Sequence, residues 1–159
     1  MSNTFVSPDE MEKYLNELIN DVAKGIMDLP ENENKSINID IAENIAFIKS
    51  DKSIMERVVD NLISFAAHNV EENGIISVKV EKNDSDSIHL SVTDNGTQIP
   101  KKFHDKIFEK FSQAEIKKNG YKVGRGLGLT FCKMAIEAHG GAMNLDLENP
   151  VGNKFIIEI

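Results

Sequence analysis

Two adjacent stretches in which apolar and polar residues alternate restrict the fold of this 159-residue chain more than any other feature. They are GIISVKVEKN (74–83) and SIHLSVTDNG (87–96), with the polar NDSD at their junction. A period of two is typical of strands, and a short polar connection favours an antiparallel hairpin. Side chains two residues apart share one face of a strand, so one apolar face is expected to pack on a core. Its members are Ile76, Val78, Val80, Ile88, Leu90 and Val92.

Apolar residues spaced three and four apart predict three helices. The first is predicted to run from an N-cap at Ser7 to a stop at Gly25, and the second to follow an N-cap at Asp51. The third is predicted to follow a glycine-rich segment and to end at Ala138. Its polar stripe is expected to consist of Thr130, Lys133 and Glu137.

Four further short stretches are strand candidates, namely INIDI (37–41), IAFIKS (45–50), AMNLDLE (142–148) and KFIIEI (154–159). Helices combined with mostly antiparallel strands predict an α+β fold, built as a two-layer sandwich. The length is sufficient for one sizeable core and too short for two, so residues 1–159 are expected to form one domain.

Composition excludes several function classes. The net charge of -8 and the pI near 5.0 argue against nucleic acid or direct membrane contact, because both partners need clustered basic residues. The one cysteine, Cys132, excludes an internal disulfide framework. Apolar runs are too short for a membrane span, and the N-terminus lacks the features of a signal peptide. A cytoplasmic location is therefore expected, and a piece of a membrane-bound receptor would share these features.

Three glycines in GRGLGL (124–129) stand directly before the third predicted helix. A helix N-terminus carries unpaired N–H groups and a partial positive charge, so a glycine-rich approach to it favours a phosphate site. The same glycines are also compatible with a tight turn or close helix packing. The motif alone leaves both interpretations open.

Four ordered motifs together resemble the catalytic, ATP-binding domain of sensor histidine kinases, within the GHKL superfamily. They are an N box ERVVDNLISFAAHN (56–69), a first glycine box VTDNGTQIP (92–100), an F box KIFEKFSQAE (106–115) and a second glycine box GRGLGLTFCKMAIEAHGG (124–141). The resemblance covers nearly the whole chain. It implies a Bergerat-type fold, in which three helices cover one face of a mixed, mostly antiparallel sheet of about five strands. It also implies that ATP or ADP lies between the helices, under a mobile lid at 112–123.

The same resemblance implies the residues of the nucleotide site. Asp94 matches the aspartate that accepts a hydrogen bond from the adenine amino group, and Gly128 matches the start of the phosphate-facing helix. The full set of residues that stand at the family's site positions is Asn61, Phe65, His68, Asp94, Gly96, Ile99, Phe111, Lys122, Gly124, Arg125, Gly126, Leu127, Gly128 and Leu129.

Two departures concern the metal and the phosphates. Phe65 stands where the family places its Mg²⁺-ligating asparagine, and His68 stands where a lysine or arginine usually meets the phosphates. Phenylalanine offers no oxygen to a hard cation, so Asn61 is the remaining candidate metal ligand and the use of Mg²⁺ is left open. Helical spacing places positions 61, 65 and 68 on one stripe, which is expected to face a single cleft.

Further departures are Gln98, in place of the second glycine of the first glycine box, and Arg125, in place of a small residue. Three functions stay open. The first is a kinase domain that phosphorylates a histidine on separate dimerisation helices, with a response regulator as a possible further partner. The second is a pseudokinase module that regulates a partner. The third is a stand-alone protein resembling the anti-sigma serine kinases.

Overall fold

Five strands form one mixed sheet in the computed structural model, which describes residues 8–43, 45, 51–84, 87–109, 128–146 and 148–159. The described helices are α1 (Pro8–Met27), α2 (Lys52–Asn69) and α3 (Gly128–Ala138). The strands are β1 (Ser36–Ile41), β2 (Ile75–Lys82), β3 (Ile88–Asp94), β4 (Ala142–Leu145) and β5 (Asn153–Glu158). Short 3₁₀ turns lie at Pro30–Asn32, Lys101–Phe103 and Lys106–Phe108. The architecture is the predicted α+β two-layer sandwich.

The strand order is β1-β2-β3-β5-β4, with β1 parallel to β2 and the other pairs antiparallel. The predicted hairpin is confirmed, since β2 and β3 pair with Val78 opposite Val92 and Val80 opposite Leu90. All six residues of its predicted apolar face are buried. At the end of β3, Asp94 pairs with Asn153 of β5. This pairing brings two polar residues to the edge of the core.

Helix α2 lies between α1 and α3, and it contacts both of them as well as β2 and β3. The predicted N-cap is confirmed, because the Asp51 Oδ1 atom accepts a hydrogen bond from the Ile54 N–H at 3.0 Å. At the other end, Lys35 Nζ donates to the Ala67 carbonyl at 2.8 Å. Both ends of the central helix are therefore fixed by side chains. None of the described helices combines the length and the hydropathy that a membrane span requires.

Cys132 lies fully buried between α2 and α3, and its Sγ atom donates to the Val58 carbonyl at 3.7 Å. Burial raises the pKa of its thiol to about 12. Nearby, the Arg57 guanidinium lies over the Phe131 ring, 3.9 Å from its centroid. The α2–α3 contact thus combines a buried thiol hydrogen bond with a cation–π contact.

Three local expectations were wrong or incomplete. The first helix continues past Gly25 to Met27, because Ile26 is buried and its carbonyl accepts a hydrogen bond from the Asn32 amide at 2.8 Å. Thr130 is buried instead of lying on a polar stripe, since this face of α3 packs against β4 and the Lys106–Phe108 turn. In the strand candidate 45–50, Ile45 is buried but is not in a strand, and 46–50 lie outside the described residues.

Replacing Gly25 with alanine should raise the free energy of unfolding by about 0.5–1 kcal/mol, the cost of a glycine inside a helix. A Cβ atom at this position would meet no heavy atom within 4 Å, so the gain is not offset by a collision. Thermal unfolding followed by circular dichroism measures it. An unchanged or lower melting temperature would contradict the assignment of Gly25 to a helix interior.

Candidate functional site

A cavity of about 640 Å³ opens between α1 and α2 and reaches the first turn of α3. Four residues of the predicted site line it: Asn61, Phe65, Gly128 and Leu129. The Asn61 Nδ2 atom donates to the Gly128 carbonyl at 3.3 Å, which joins the N box to the start of α3. The cavity is rich in carboxylates, contributed by Glu17, Asp21, Glu31, Glu56 and Asp60, and Lys52 is its one basic residue among those described.

Phe65, at the position of the missing metal ligand, belongs to the core. Its side chain is only 4% exposed, and its ring meets that of Phe155 edge to face, with centroids 5.2 Å apart and an interplanar angle of 86°. Phe155 meets Phe108 in the same way at 6.1 Å. One edge of this aromatic cluster forms the cavity wall, so no oxygen is offered there.

His68 does not join the other two members of the predicted stripe. It is exposed, and it does not line the cavity, whose wall on this side of α2 is completed by Ser64. Position 68 lies in the last turn of α2, which ends at Asn69, and the α2 residues that line the cavity all precede it, from Lys52 to Phe65.

Asp94 lies at the end of β3 and is only 3% exposed. Its Oδ1 atom accepts three hydrogen bonds, from Asn69 Nδ2 at 3.1 Å, from the Gly96 N–H at 2.8 Å and from Asn153 Nδ2 at 3.5 Å. Burial raises the pKa of Asp94 above its ordinary value, and the hydrogen bonds from Gly96, Asn69 and Asn153 partly offset this rise. A buried carboxylate held by uncharged donors can accept a further N–H group from a ligand.

The loop that follows β3 is tied to the same cluster. The Thr97 carbonyl accepts hydrogen bonds from Asn69 Nδ2 at 3.0 Å and from Asn153 Nδ2 at 2.9 Å. The N–H of Ile99, which is buried, donates to Asn153 Oδ1 at 2.8 Å. The predicted residues Gly96 and Ile99 therefore contact the Asp94 cluster, whereas Gln98 is exposed and donates to the Asn149 carbonyl.

Asn69 and Asn153 were missed in the sequence, although both touch Asp94. A signal was present for Asn69, because it lies seven residues after Leu62 and four after Phe65, on the apolar face of α2. A polar residue on an apolar face needs a partner, and here that partner is Asp94. Asn153 carried no comparable signal, since it stands in the turn-rich stretch NPVGN.

Six predicted site residues lie outside the described residues: Phe111, Lys122, Gly124, Arg125, Gly126 and Leu127. The predicted lid at 112–123 lies outside them as well. Within the described ranges, no group of three or more His, Cys, Asp or Glu side chains is placed to hold a metal ion. Asn61 as a metal ligand therefore stays a prediction.

Three histidines outside the predicted site have partners in the fold. His104 Nε2 donates to the Ile99 carbonyl at 2.8 Å, and His139 Nδ1 donates to the Ala135 carbonyl at 2.8 Å. His89 Nε2 lies 3.4 Å from a carboxylate oxygen of Glu158.

Comparison with known proteins identifies relatives of this architecture. The family model described as "Histidine kinase-, DNA gyrase B-, and HSP90-like ATPase" matches residues 50–159. Sensor protein SrrB of Staphylococcus aureus (strain NCTC 8325 / PS 47) is 34% identical over 109 residues, which is 69% of this chain and 18% of SrrB. The match thus covers less than a fifth of the length of this curated relative.

Two solved structures agree with the fold. The catalytic domain of histidine kinase ThkA matches with a TM-score of 0.78 at 27% identity, covering 100% of this chain and 95% of that one. ThkA in complex with the response regulator protein TrrA matches with a TM-score of 0.69 at 28% identity, covering 91% of this chain and 40% of that one. The chain belongs to the family of histidine kinase-, DNA gyrase B- and HSP90-like ATPases, as an ATP-binding domain of the sensor histidine kinase type.

Proposed function

We propose that this chain binds ATP as the catalytic domain of a sensor histidine kinase and transfers its γ-phosphoryl group to a histidine on separate dimerisation helices. The observation that supports this best is the buried Asp94, which accepts three N–H hydrogen bonds. Asp94 does not itself line the cavity, but its partner Asn69 follows the cavity-lining Phe65 by one turn of α2. A carboxylate in this position suits the amino group of adenine, which donates hydrogen bonds.

The phosphates belong at the first turn of α3, where Gly128 and Leu129 line the cavity. Free N–H groups and the partial positive charge of a helix N-terminus stabilise anions there. The carboxylates of α1 and α2 would repel phosphates from the opposite wall, which restricts them to the α3 side. The volume of about 640 Å³ lies within the range of roughly 300–1,000 Å³ that small-molecule sites occupy.

A magnesium ion held by α2 in the usual way does not fit these residues. Phe65 offers no oxygen at the usual ligand position, and Asn61, whose Nδ2 atom donates to the Gly128 carbonyl, is the remaining candidate ligand on α2. This observation favours one second candidate, a nucleotide-binding module with reduced catalysis that regulates a partner.

We extend the same proposal to the partners of this chain and to its location in the cell. ThkA has been solved with a response regulator, which supports a response regulator as a partner of the present chain. The matched SrrB is a sensor protein, which supports residues 1–159 as one cytoplasmic domain of a longer sensor. Matches to sensor histidine kinases favour this assignment over a serine kinase.

Changing Asp94 to asparagine should weaken ADP binding by about 1.5–3 kcal/mol, because a hydrogen bond to a charged acceptor contributes on that scale. Isothermal titration calorimetry of the natural protein and the variant measures the difference. Asp40→Asn is the matched control, since Asp40 is exposed on β1, and it should leave the affinity unchanged.

Absence of ADP binding to the natural protein would refute the proposed function. Equal affinities of the natural protein and Asp94→Asn would show that adenine lies elsewhere. A parallel titration with ATP, with and without Mg²⁺, separates the two candidates, because the module with reduced catalysis should be nearly indifferent to the ion.

A further inference from the structure

Two asparagine side chains hold the Asp94 carboxylate from opposite elements. Asn69 comes from α2 and Asn153 from β5, and each Nδ2 atom donates both to Asp94 Oδ1 and to the Thr97 carbonyl. An amide NH₂ has two hydrogens, so both donors of each side chain are used. Asn153 also accepts a hydrogen bond through its Oδ1 atom, from the Ile99 N–H. We call Asn69 and Asn153 the amide clamp.

The amide clamp donates its hydrogen bonds to one of the two carboxylate oxygens of Asp94. Together with the Gly96 N–H, it places three donors on Oδ1. Since one carboxylate oxygen offers about two lone pairs, Oδ1 has no capacity left for a ligand. Oδ2 accepts none of these three bonds, so it is the oxygen available to a ligand, next to the Asn153 backbone N–H, which also hydrogen-bonds this carboxylate.

We propose that Asn69 and Asn153 are positioning residues that turn the Asp94 carboxylate so that Oδ2 faces the nucleotide base as an acceptor. This orientation selects adenine, which carries an amino group at its position 6, over guanine, which carries a carbonyl oxygen there. A carbonyl oxygen against Oδ2 would leave two acceptors facing each other with no proton between them. The inference rests on the proposed function, because it requires a nucleotide in this site.

The charge of Asp94 gives the amide clamp a second, measurable effect. Burial raises the pKa of this carboxyl, and the donors from Gly96 and the clamp lower it. No charged side chain in the described ranges hydrogen-bonds Asp94. On the neighbouring elements, His68 of α2 is exposed, and Lys154 of β5 follows Asn153 on the other face of the sheet. Loss of one clamp amide should therefore raise the pKa of Asp94 further.

A higher pKa changes what Asp94 can recognise. Because three N–H donors occupy Oδ1, a proton on the carboxyl group would lie on Oδ2 and turn this acceptor into a donor. The preference for adenine should then weaken, and it should return as the pH rises above the new pKa. A residue that only stabilised the fold would produce neither effect.

The test compares Asn69→Leu and Asn153→Leu with Asn32→Leu, all in the intact chain. Asn32 is an equally buried asparagine whose amide donates to the Ile26 carbonyl, away from Asp94. Carbon-13 NMR titration of the Asp94 carboxyl gives its pKa, and calorimetry with ADP and with GDP in EDTA gives the base preference across pH. If either clamp variant unfolds, Asn69→Ser and Asn153→Ser replace them.

Both clamp variants should raise the Asp94 pKa and reduce the ratio of ADP to GDP affinity by about tenfold, because the carboxylate is no longer held with Oδ2 toward the base. The pH below which this ratio falls should move upward together with the Asp94 pKa. Asn32→Leu should change neither quantity. An unchanged Asp94 pKa in both clamp variants, or an equal loss of ADP and GDP binding, would overturn the inference. Failure of the natural protein to bind either nucleotide would refute the proposed function and the base selection with it, and the NMR titration would still decide whether the clamp sets the Asp94 pKa.

Discussion

Replacing Phe65 with asparagine should lower the free energy of unfolding by at least about 3 kcal/mol, the lower end for removal of a buried phenylalanine ring. The ring is only 4% exposed and packs edge to face on Phe155, so its loss removes this core contact and enlarges the cavity that Phe65 borders. The new amide would also be buried against an aromatic ring, which adds a desolvation cost. Chemical denaturation measures the change.

The matched control is Phe108→Asn, which removes the other ring that contacts Phe155. Phe108 is only partly buried, so this change should cost clearly less than the change at position 65. A loss below about 1 kcal/mol for Phe65→Asn would contradict the assignment of Phe65 to the core.

The same substitution tests the response to magnesium when it is combined with His68→Lys. The added amide oxygen and the added cation restore the family pattern, so ATP affinity should gain a magnesium dependence of about 1.4 kcal/mol, or tenfold. Calorimetry at a temperature where the variant is folded gives the answer. Tight, magnesium-dependent binding of ATP to the natural protein would instead show that another oxygen, such as that of Asn61, serves as the ligand.

Changing Gly152 to alanine should lower the free energy of unfolding by about 2–5 kcal/mol and abolish ADP binding. Gly152 has φ +66°, a left-handed conformation that costs an alanine about 1–2 kcal/mol. A Cβ atom there would also collide with the Asp94 carbonyl oxygen, so β3 and β5 would have to separate. This movement would displace Asn153 from Asp94, because the two residues are direct partners in the register.

Gly140→Ala is the control for this effect. Gly140 has φ +81°, but a Cβ atom there would meet nothing within 4 Å. It should therefore show only the conformational cost and leave ADP binding intact. If both variants lost similar amounts of unfolding free energy, the collision with Asp94 would be relieved at little cost.

The structure could be predicted from the sequence wherever a local pattern of residues determined it. The alternation in 74–96 predicted both strands of the hairpin and its buried face, because a one-residue shift would expose every apolar side chain. The Asp51 cap was also readable, since it depends on residues only three positions apart. Gly25 misled the prediction because burial of Ile26 outweighs the weak local tendency of glycine to end a helix.

The candidate site was predictable only in part, because its contacts join residues distant in the chain. Asp94 could be identified from its motif, but its contact with Asn153 depends on how β5 pairs with β3. Helical spacing placed His68 on one stripe with Asn61 and Phe65, but it does not show how far along α2 the cavity extends. The burial of Phe65 depends on its contact with Phe155. The position of Phe155 opposite α2 is set only when the sheet is complete.

The buried sulfur of Cys132 allows separation of α2 and α3 to be followed by chemical labelling. Alkylating reagents attack the thiolate, and a thiol with a pKa of about 12 is almost entirely protonated at neutral pH. The sulfur also has no path to solvent while the two helices remain together. Since the chain has no other cysteine, its rate of alkylation reports how often α2 and α3 separate, without any engineered probe.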